Sequence, residues 1–228
     1  MSVVILHIVN GNLFLMGDKR ITHVKADTEY KNGYIEYGHT DNANKVYKVN
    51  SKVLIGAAGS TIAYLNLMRD TINNNEINPK CECWDYKRFK EYYDFVFDQL
   101  YDWLDTDEKV NKMGEIAKTF RLVLCGVQDN KLHSTVYQYP SAYGKRPHET
   151  IFEENYNGVL VFSSKDLEKK YTHSYMSYPA FQSDDFSETA INEAFAKTLE
   201  QMSRVDNSIS TNYDIFNIYI EKEEQNDE

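Results

Sequence analysis

Residues typical of disulfide-rich and membrane-spanning proteins are scarce in this sequence. The chain has three cysteines, four prolines and 10 glycines among 228 residues. Three cysteines cannot form an even-numbered disulfide framework, and Cys81 and Cys83 lie too close in sequence to be a favourable pair. No apolar run approaches the roughly 20 residues that a bilayer-spanning helix needs. The sequence therefore predicts reduced thiols and no transmembrane segment.

Basic residues are also fewer than acidic residues. The chain has 25 lysines and arginines against 35 aspartates and glutamates, a net charge of -10 at pH 7. Such a field repels phosphate backbones and anionic lipid headgroups, so we expect no nucleic-acid partner and no membrane partner. The Met-Ser start lacks the basic segment and the cleavage site of a secretory signal, which predicts a cytoplasmic protein.

Motifs for metal ions and cofactors are missing. Cys81 and Cys83 have no further ligands nearby at zinc-site spacing, and the six histidines are scattered along the chain. We interpret the histidines as surface residues or as core residues with satisfied ring nitrogens. The sequence predicts no metal site and no cofactor.

Apolar residues, by contrast, are abundant enough for one substantial core. They make up 42% of the chain, which for this length predicts a single domain, assigned here to residues 1–220. The polar stretch 24–43 is expected to be an irregular insertion or a solvent-exposed β-arm. The acidic tail 221–228 is expected to be disordered.

Three hairpins are predicted from apolar runs on either side of turn residues. The first connects Val3–Val9 with Leu13–Met16 through Asn10-Gly11, which is a type I′ turn signature. The second turns at Asn50-Ser51 and the third at Asp129-Asn130.

Helical periodicity and two further apolar runs complete the expected elements. The spacing of apolar residues predicts helices over 60–72, 86–104 and 187–202. The segment "NGVLVFSS" is predicted to be a buried strand, and "DNSISTNYDIFNIYI" to close the fold as paired strands. This order predicts an α+β fold, a four-layer αββα sandwich of two antiparallel sheets flanked by helices.

Ser2 and two charged residues suggest a hydrolytic site. A small second residue permits removal of Met1, which would give Ser2 a free α-amine beside its hydroxyl. An amine with a pKa of about 8 can accept the hydroxyl proton and so activate a poor nucleophile. Lys45, at the start of the third strand, is expected to lower that pKa. Asp18, at the end of the second strand, is expected to pair with the lysine.

In order and spacing these residues resemble the proteasome β-subunits and the bacterial HslV peptidases, within the N-terminal-nucleophile (Ntn) hydrolases. The matching pieces are Ser2, Asn10-Gly11, "DKRIT", Lys45 in "NKVYKV", and "GAAGS" with Gly59. Three departures stand out. The interval from Asp18 to Lys45 is longer than usual, Lys165 stands where the family often has glycine, and serine replaces the usual threonine. Because serine lacks the methyl group that restricts χ1, slower turnover is expected.

The resemblance also implies roles for residues beyond the nucleophile. Thr22 would hydrogen-bond an extended substrate strand, with Arg20 as its neighbour in the substrate-binding segment. The backbone N–H of Gly59 would stabilise the oxyanion. Asp206 and Ser208 match the family's charged and small polar residues around the catalytic amine, and Ser164 matches the serine of a Ser-Gly-Gly turn that the family often has.

Three functions follow from this pattern. The first is a peptidase subunit that forms a homo-oligomeric ring and cleaves peptides or unfolded proteins, with an ATP-dependent unfoldase as a partner by analogy. The second is a catalytically inactive scaffold or binding protein, in which Lys45 and Asp18 form only a structural ion pair and residues 24–43 are a contact arm. The third is a small-molecule amidase on the same fold.

Overall fold

The computed structural model describes residues 3–24, 37–59, 83–106, 120–139, 147–163 and 165–220. Within these ranges the strands are β1 (Val4–Val9), β2 (Asn12–Asp18), β3 (Ile21–Val24), β4 (Tyr37–Thr40), β5 (Val46–Asn50), β6 (Val53–Gly59), β7 (Phe120–Gln128), β8 (Lys131–Tyr139), β9 (His148–Phe152), β10 (Gly158–Phe162) and β11 (Tyr213–Tyr219). The helices of the same ranges are α1 (Tyr86–Thr106), α2 (Lys165–Met176), α3 (Pro179–Gln182) and α4 (Glu188–Ser203).

All three expected hairpins are present, and two of them have turns built on positive backbone angles. The second hairpin turns at Ser51 and Lys52, one residue later than expected, because Asn50 pairs with Val53. Asn10 and Gly11 have φ of 51° and 73°, and Asp129 and Asn130 have φ of 48° and 56°. These values suit the type I′ geometry, whose twist matches that of the flanking strands. The hairpins are β1–β2, β5–β6 and β7–β8.

The hairpins assemble into two larger antiparallel sheets and one small one. The first sheet has the strand order β10-β1-β2-β11, and the second has the order β5-β6-β7-β8-β9. Strands β3 and β4 form a separate two-stranded sheet, which includes part of the 24–43 stretch. The predicted antiparallel sheets are therefore present.

Three apolar clusters hold the layers together. Leu6 and Leu15 of the first sheet pack against Leu54 and Val123 of the second, which forms the core between the sheets. Aromatic residues of α1 cover the outer face of the second sheet, and residues of α2, α3 and α4 cover the outer face of the first. The layers follow the order helix, sheet, sheet, helix, although the helical cover is modest.

Several elements differ from the sequence-based expectation. Helices α2 and α3 were not predicted, because the segment 165–176 is rich in charged residues. The "NGVLVFSS" strand is an edge strand rather than a buried one: β10 pairs only with β1, and Leu160 is 38% exposed. The closing segment gives one strand, β11, because its first part turns around Asp206. The predicted helix over 60–72 and the tail 221–228 lie outside the described residues.

Candidate active site

Asp18 and Lys45 form a buried ion pair between the two large sheets. Asp18 ends β2, and Lys45 directly precedes β5. The lysine Nζ donates to Asp18 Oδ1 at 2.7 Å, and the side chains are 2% and 0% exposed. Gly17 allows Lys45 to lie close to the backbone of β2, because a Cβ at position 17 would lie 3.3 Å from the Lys45 Cβ. The expected pairing of these two side chains is thus present.

Backbone amides from three segments complete the partners of the Asp18 carboxylate. Its Oδ1 accepts from the Val3 N–H at 2.9 Å, and its Oδ2 accepts from Arg20 N–H at 3.0 Å and Ser210 N–H at 3.3 Å. The carboxylate therefore joins the beginning of β1, the end of β2 and the loop after α4. Since Lys45 and Val3 share one oxygen, the ammonium lies at the start of the amino-terminal strand.

Burial dominates the electrostatics of Lys45. Removal from water lowers the pKa of its ammonium, and the charge and hydrogen bond of Asp18 oppose that shift. A lysine in this setting can act on a neighbouring amine or on a developing negative charge, because water does not screen it.

Arg20 links two segments beside the ion pair. Its Nε and Nη2 donate to the two carboxylate oxygens of Asp41 at 2.6 and 2.7 Å, and its Nη1 donates to the Asn207 carbonyl at 2.8 Å. These contacts raise the pKa of the guanidinium, chiefly through the hydrogen bond to Asp41. Because these hydrogen bonds are to the protein itself, a role for Arg20 in substrate binding stays a prediction.

Asp206 and Ser208 form a compact turn next to this network. Asp206 Oδ1 accepts from the Ser208 N–H at 2.8 Å and from the Ser208 hydroxyl at 2.6 Å. The second oxygen, Oδ2, is buried and has no hydrogen-bond partner in the described part of the chain. Ser208 therefore fixes the orientation of the carboxylate and leaves one oxygen available.

Gly59 ends β6 in a conformation that favours glycine. Its φ is 110°, which side-chain-bearing residues rarely adopt, and its partner across the ladder is Phe120. Thr22 lies on β3 opposite His39 in the small sheet. Ser2 and Ser164 lie outside the described residues, so their expected roles stay predictions.

Three further residues with notable polar groups were not anticipated from the sequence. Ser210 supplies an amide to Asp18, and the Ser163 Oγ and the Tyr171 hydroxyl are buried without hydrogen-bond partners among the described residues. Burial raises the pKa of Tyr171, and the nearby charges of Asp206 and Asp18 raise it further. The i,i+4 spacing of Tyr171 and Tyr175 in the sequence could have indicated that both tyrosines lie on one face of a helix. That helix was not predicted.

The described part of the chain meets the requirements of neither a metal site nor a membrane-spanning helix. Residues 3–24, 37–59, 83–106, 120–139, 147–163 and 165–220 contain no group of three or more His, Cys, Asp or Glu side chains placed to hold a metal ion. No helix in the same ranges combines the length and the apolar character that crossing a bilayer requires.

The architecture and the ion pair together define a two-sheet sandwich with a charged site where β1 begins. The chain is similar in structure to the crystal structure of eukaryotic HslV from Trypanosoma brucei, with a TM-score of 0.52 and 13% sequence identity. The similarity covers 95% of this chain and 99% of that one. No protein-family model matches the sequence, and no match to a curated protein was found. At this identity the likeness shows the fold alone, which is HslV-like.

Proposed function

We propose that the protein is an Ntn hydrolase that cleaves amide bonds with Ser2 after removal of Met1. One observation carries this proposal. The buried Lys45 ammonium and the Val3 amide both bond to Asp18 Oδ1, so the cation lies one residue from the position of the nucleophile. The HslV-like fold supports the same conclusion.

The proposed chemistry uses one residue as both nucleophile and base. The Ser2 Oγ attacks the carbonyl carbon of the substrate while its α-amine accepts the hydroxyl proton. The amide C–N bond then breaks, the departing amine takes that proton, and an ester to Ser2 remains. Water hydrolyses the ester with the α-amine as base. Lys45 favours the neutral amine, and the Gly59 N–H stabilises the oxyanion.

Extended peptides or unfolded proteins are the proposed substrates. Strand β3, which carries Thr22, belongs to a two-stranded sheet apart from the two large ones. An extended substrate can add to such a strand through backbone hydrogen bonds, which accept many sequences. We propose that the subunits form a homo-oligomeric ring that restricts access, with an ATP-dependent unfoldase as partner.

The second candidate is an inactive scaffold or binding protein of the same fold. The specific observation in its favour is that Asp18 accepts from three backbone amides. A carboxylate so placed stabilises the junction of three segments whether or not chemistry occurs there.

Intact mass and peptide cleavage test the hydrolase. We expect loss of Met1, cleavage of an unstructured fluorogenic peptide, and at least a 100-fold loss of that rate in Ser2→Ala. Ser177→Ala, at an exposed position after α2, is the control and should retain the rate. Retention of Met1, or equal cleavage by Ser2→Ala, would refute the hydrolase; a processed but inactive chain would favour the scaffold.

A further inference from the structure

Three buried oxygen atoms without hydrogen-bond partners belong to segments that border the beginning of the amino-terminal strand. They are Asp206 Oδ2, the Tyr171 hydroxyl oxygen and Ser163 Oγ. Buried polar atoms in folded proteins are nearly always paired, so each unpaired one calls for an explanation. The described residues contain five such atoms, and a common partner at the start of β1 would account for three of them.

Strand register and packing connect these residues to the beginning of β1. Phe162 pairs with Val4 at the end of the β1–β10 ladder, so Ser163 leaves β10 at the end of the sheet where β1 begins. Tyr171 belongs to the same buried cluster as Val3, and its hydroxyl interacts electrostatically with Asp206 and Asp18.

The chemistry of the three oxygens identifies the kind of group that would satisfy them. An ionised carboxylate only accepts hydrogen bonds, and the tyrosine and serine hydroxyls accept as well as donate. A primary ammonium has three N–H donors and no acceptor, so it matches three oxygen acceptors one for one. The α-amine of Ser2, which removal of Met1 sets free, is such a group whenever it is protonated, as it is after it accepts the hydroxyl proton in the proposed reaction. It precedes Val3 by one residue.

We propose that Tyr171 is a positioning residue of this site, whose hydroxyl oxygen accepts a hydrogen bond from the α-ammonium of Ser2 alongside Asp206 Oδ2 and Ser163 Oγ. The inference rests on the removal of Met1 in the proposed function and adds a residue from α2 to the site. The Tyr171 O–H bond stays intact, since the proton of the reaction moves only between Ser2 Oγ and the amine. Burial raises the pKa of Tyr171 and keeps the hydroxyl neutral.

Removal of this hydroxyl should change the titration of the amine. An acceptor that binds the ammonium stabilises the charged form and raises the amine pKa. We expect Tyr171→Phe to lower that pKa by about 1 to 2 units, the size typical of one hydrogen bond to a charged group. A merely structural tyrosine would leave the titration unchanged.

The test uses the full chain beginning at Ser2, checked by intact mass and, if Met1 is retained, produced from a fusion cleaved before Ser2. Trace carbamoylation by cyanate between pH 5 and pH 10, quantified on the amino-terminal peptide, gives the amine pKa without any peptidase activity. Tyr175→Phe is the matched control, because Tyr175 lies one turn further on α2, is equally buried and bonds to His7 Nδ1 at 2.8 Å.

A lower amine pKa in Tyr171→Phe but not in Tyr175→Phe supports the inference. An unchanged pKa in Tyr171→Phe, or an equal shift in Tyr175→Phe, overturns it. If Tyr171→Phe does not fold, a crystal structure of the chain beginning at Ser2 decides: the amine nitrogen should lie within about 3.2 Å of the tyrosine oxygen, and a separation beyond about 3.5 Å rejects the inference.

Peptide cleavage separates this inference from the proposed function. A shifted amine pKa in a chain that cleaves no peptide would leave the role of Tyr171 standing and remove the hydrolase. Peptide cleavage by a chain whose amine pKa is unshifted in Tyr171→Phe would leave the hydrolase standing and remove the role of Tyr171.

Discussion

At the scale of single residues, Asp18 has the densest set of interactions at the candidate site. It accepts from the Lys45 ammonium and from the amides of Val3, Arg20 and Ser210. Loss of the carboxylate deprives four donors of their acceptor, whereas loss of the lysine removes one donor from a carboxylate that keeps three. The two halves of the ion pair therefore differ in their importance for stability.

We expect this asymmetry in the free energy of unfolding. Asp18→Ala should destabilise the protein by about 3–5 kcal/mol, as removal of one partner of a buried pair commonly does. Lys45→Met keeps the aliphatic bulk of the side chain, and its cost should be smaller by at least about 1 kcal/mol. Urea unfolding of both variants measures the difference, and equal losses would contradict the argument.

His7 introduces a pH dependence of stability. Its ring is buried under α2 and α3, and desolvation lowers its pKa from 6.5 to about 4. The unfolded chain therefore binds a proton at a pH where the folded protein does not. The resulting stability is present above pH 6.5 and is lost as the pH falls toward 4.

Unfolding measured at two pH values tests this dependence. Between pH 7 and pH 5 we expect His7 to account for a loss of about 2 kcal/mol. The pH dependence should shrink by that amount in His7→Phe and change little in His173→Gln, since His173 is exposed. An undiminished pH dependence in His7→Phe would contradict the assignment.

At the scale of elements, close packing fixes α1 on the second large sheet. Tyr86, the first residue of α1, lies against Gly126 of β7, where an added Cβ would be 2.6 Å from the Tyr86 Cβ and 2.8 Å from its ring. The contact is with the base of a buried side chain, so it cannot be relieved by a simple rotation. The helix and the strand would have to separate.

Gly126→Ala should therefore destabilise the protein by about 1–3 kcal/mol, the usual cost of overpacking a core. Gly158→Ala is the control: its Cβ would meet the hydroxyl end of Tyr156 at 2.5 Å, but that side chain is 39% exposed and free to move. Its cost should stay within about 0.5 kcal/mol. Thermal unfolding compares the two, and a similar cost for both would reject the packing argument.

The elements also show what local sequence can reveal. Turn pairs such as Asn10-Gly11 specify backbone angles directly, so the hairpins were predictable. The pairing of Asp18 with Lys45 followed from strand order. The proposed role of Tyr171 could not be predicted from the sequence, because α2 has a weak apolar pattern and the packing of Tyr171 with Val3 joins distant segments of the chain.

At the scale of the whole molecule, each of the two large sheets has edge strands that pair on one side only within the described chain. Strand β10 pairs on one side only, and its Leu160 is 38% exposed. Exposed edges and apolar side chains favour association with another chain. This edge is where we expect contact between subunits of the proposed ring.

Native mass tests the assembly. The wild-type chain should have a mass several times that of a monomer, and Leu160→Lys should reduce it by placing a charge at the contact. Phe95→Lys, at a 63% exposed position of α1, should not. A monomeric wild type would refute the ring. An intact assembly in Leu160→Lys would show that the contact between subunits does not involve this edge.

The donors to Asp18 have a bearing on how far such a sequence can diverge. Three of its four partners are main-chain N–H groups, which every residue except proline supplies. Side chains at positions 3, 20 and 210 can therefore drift while the carboxylate stays anchored. A site held in this way constrains few side chains, and its geometry can persist in chains as different in sequence as two with 13% identity.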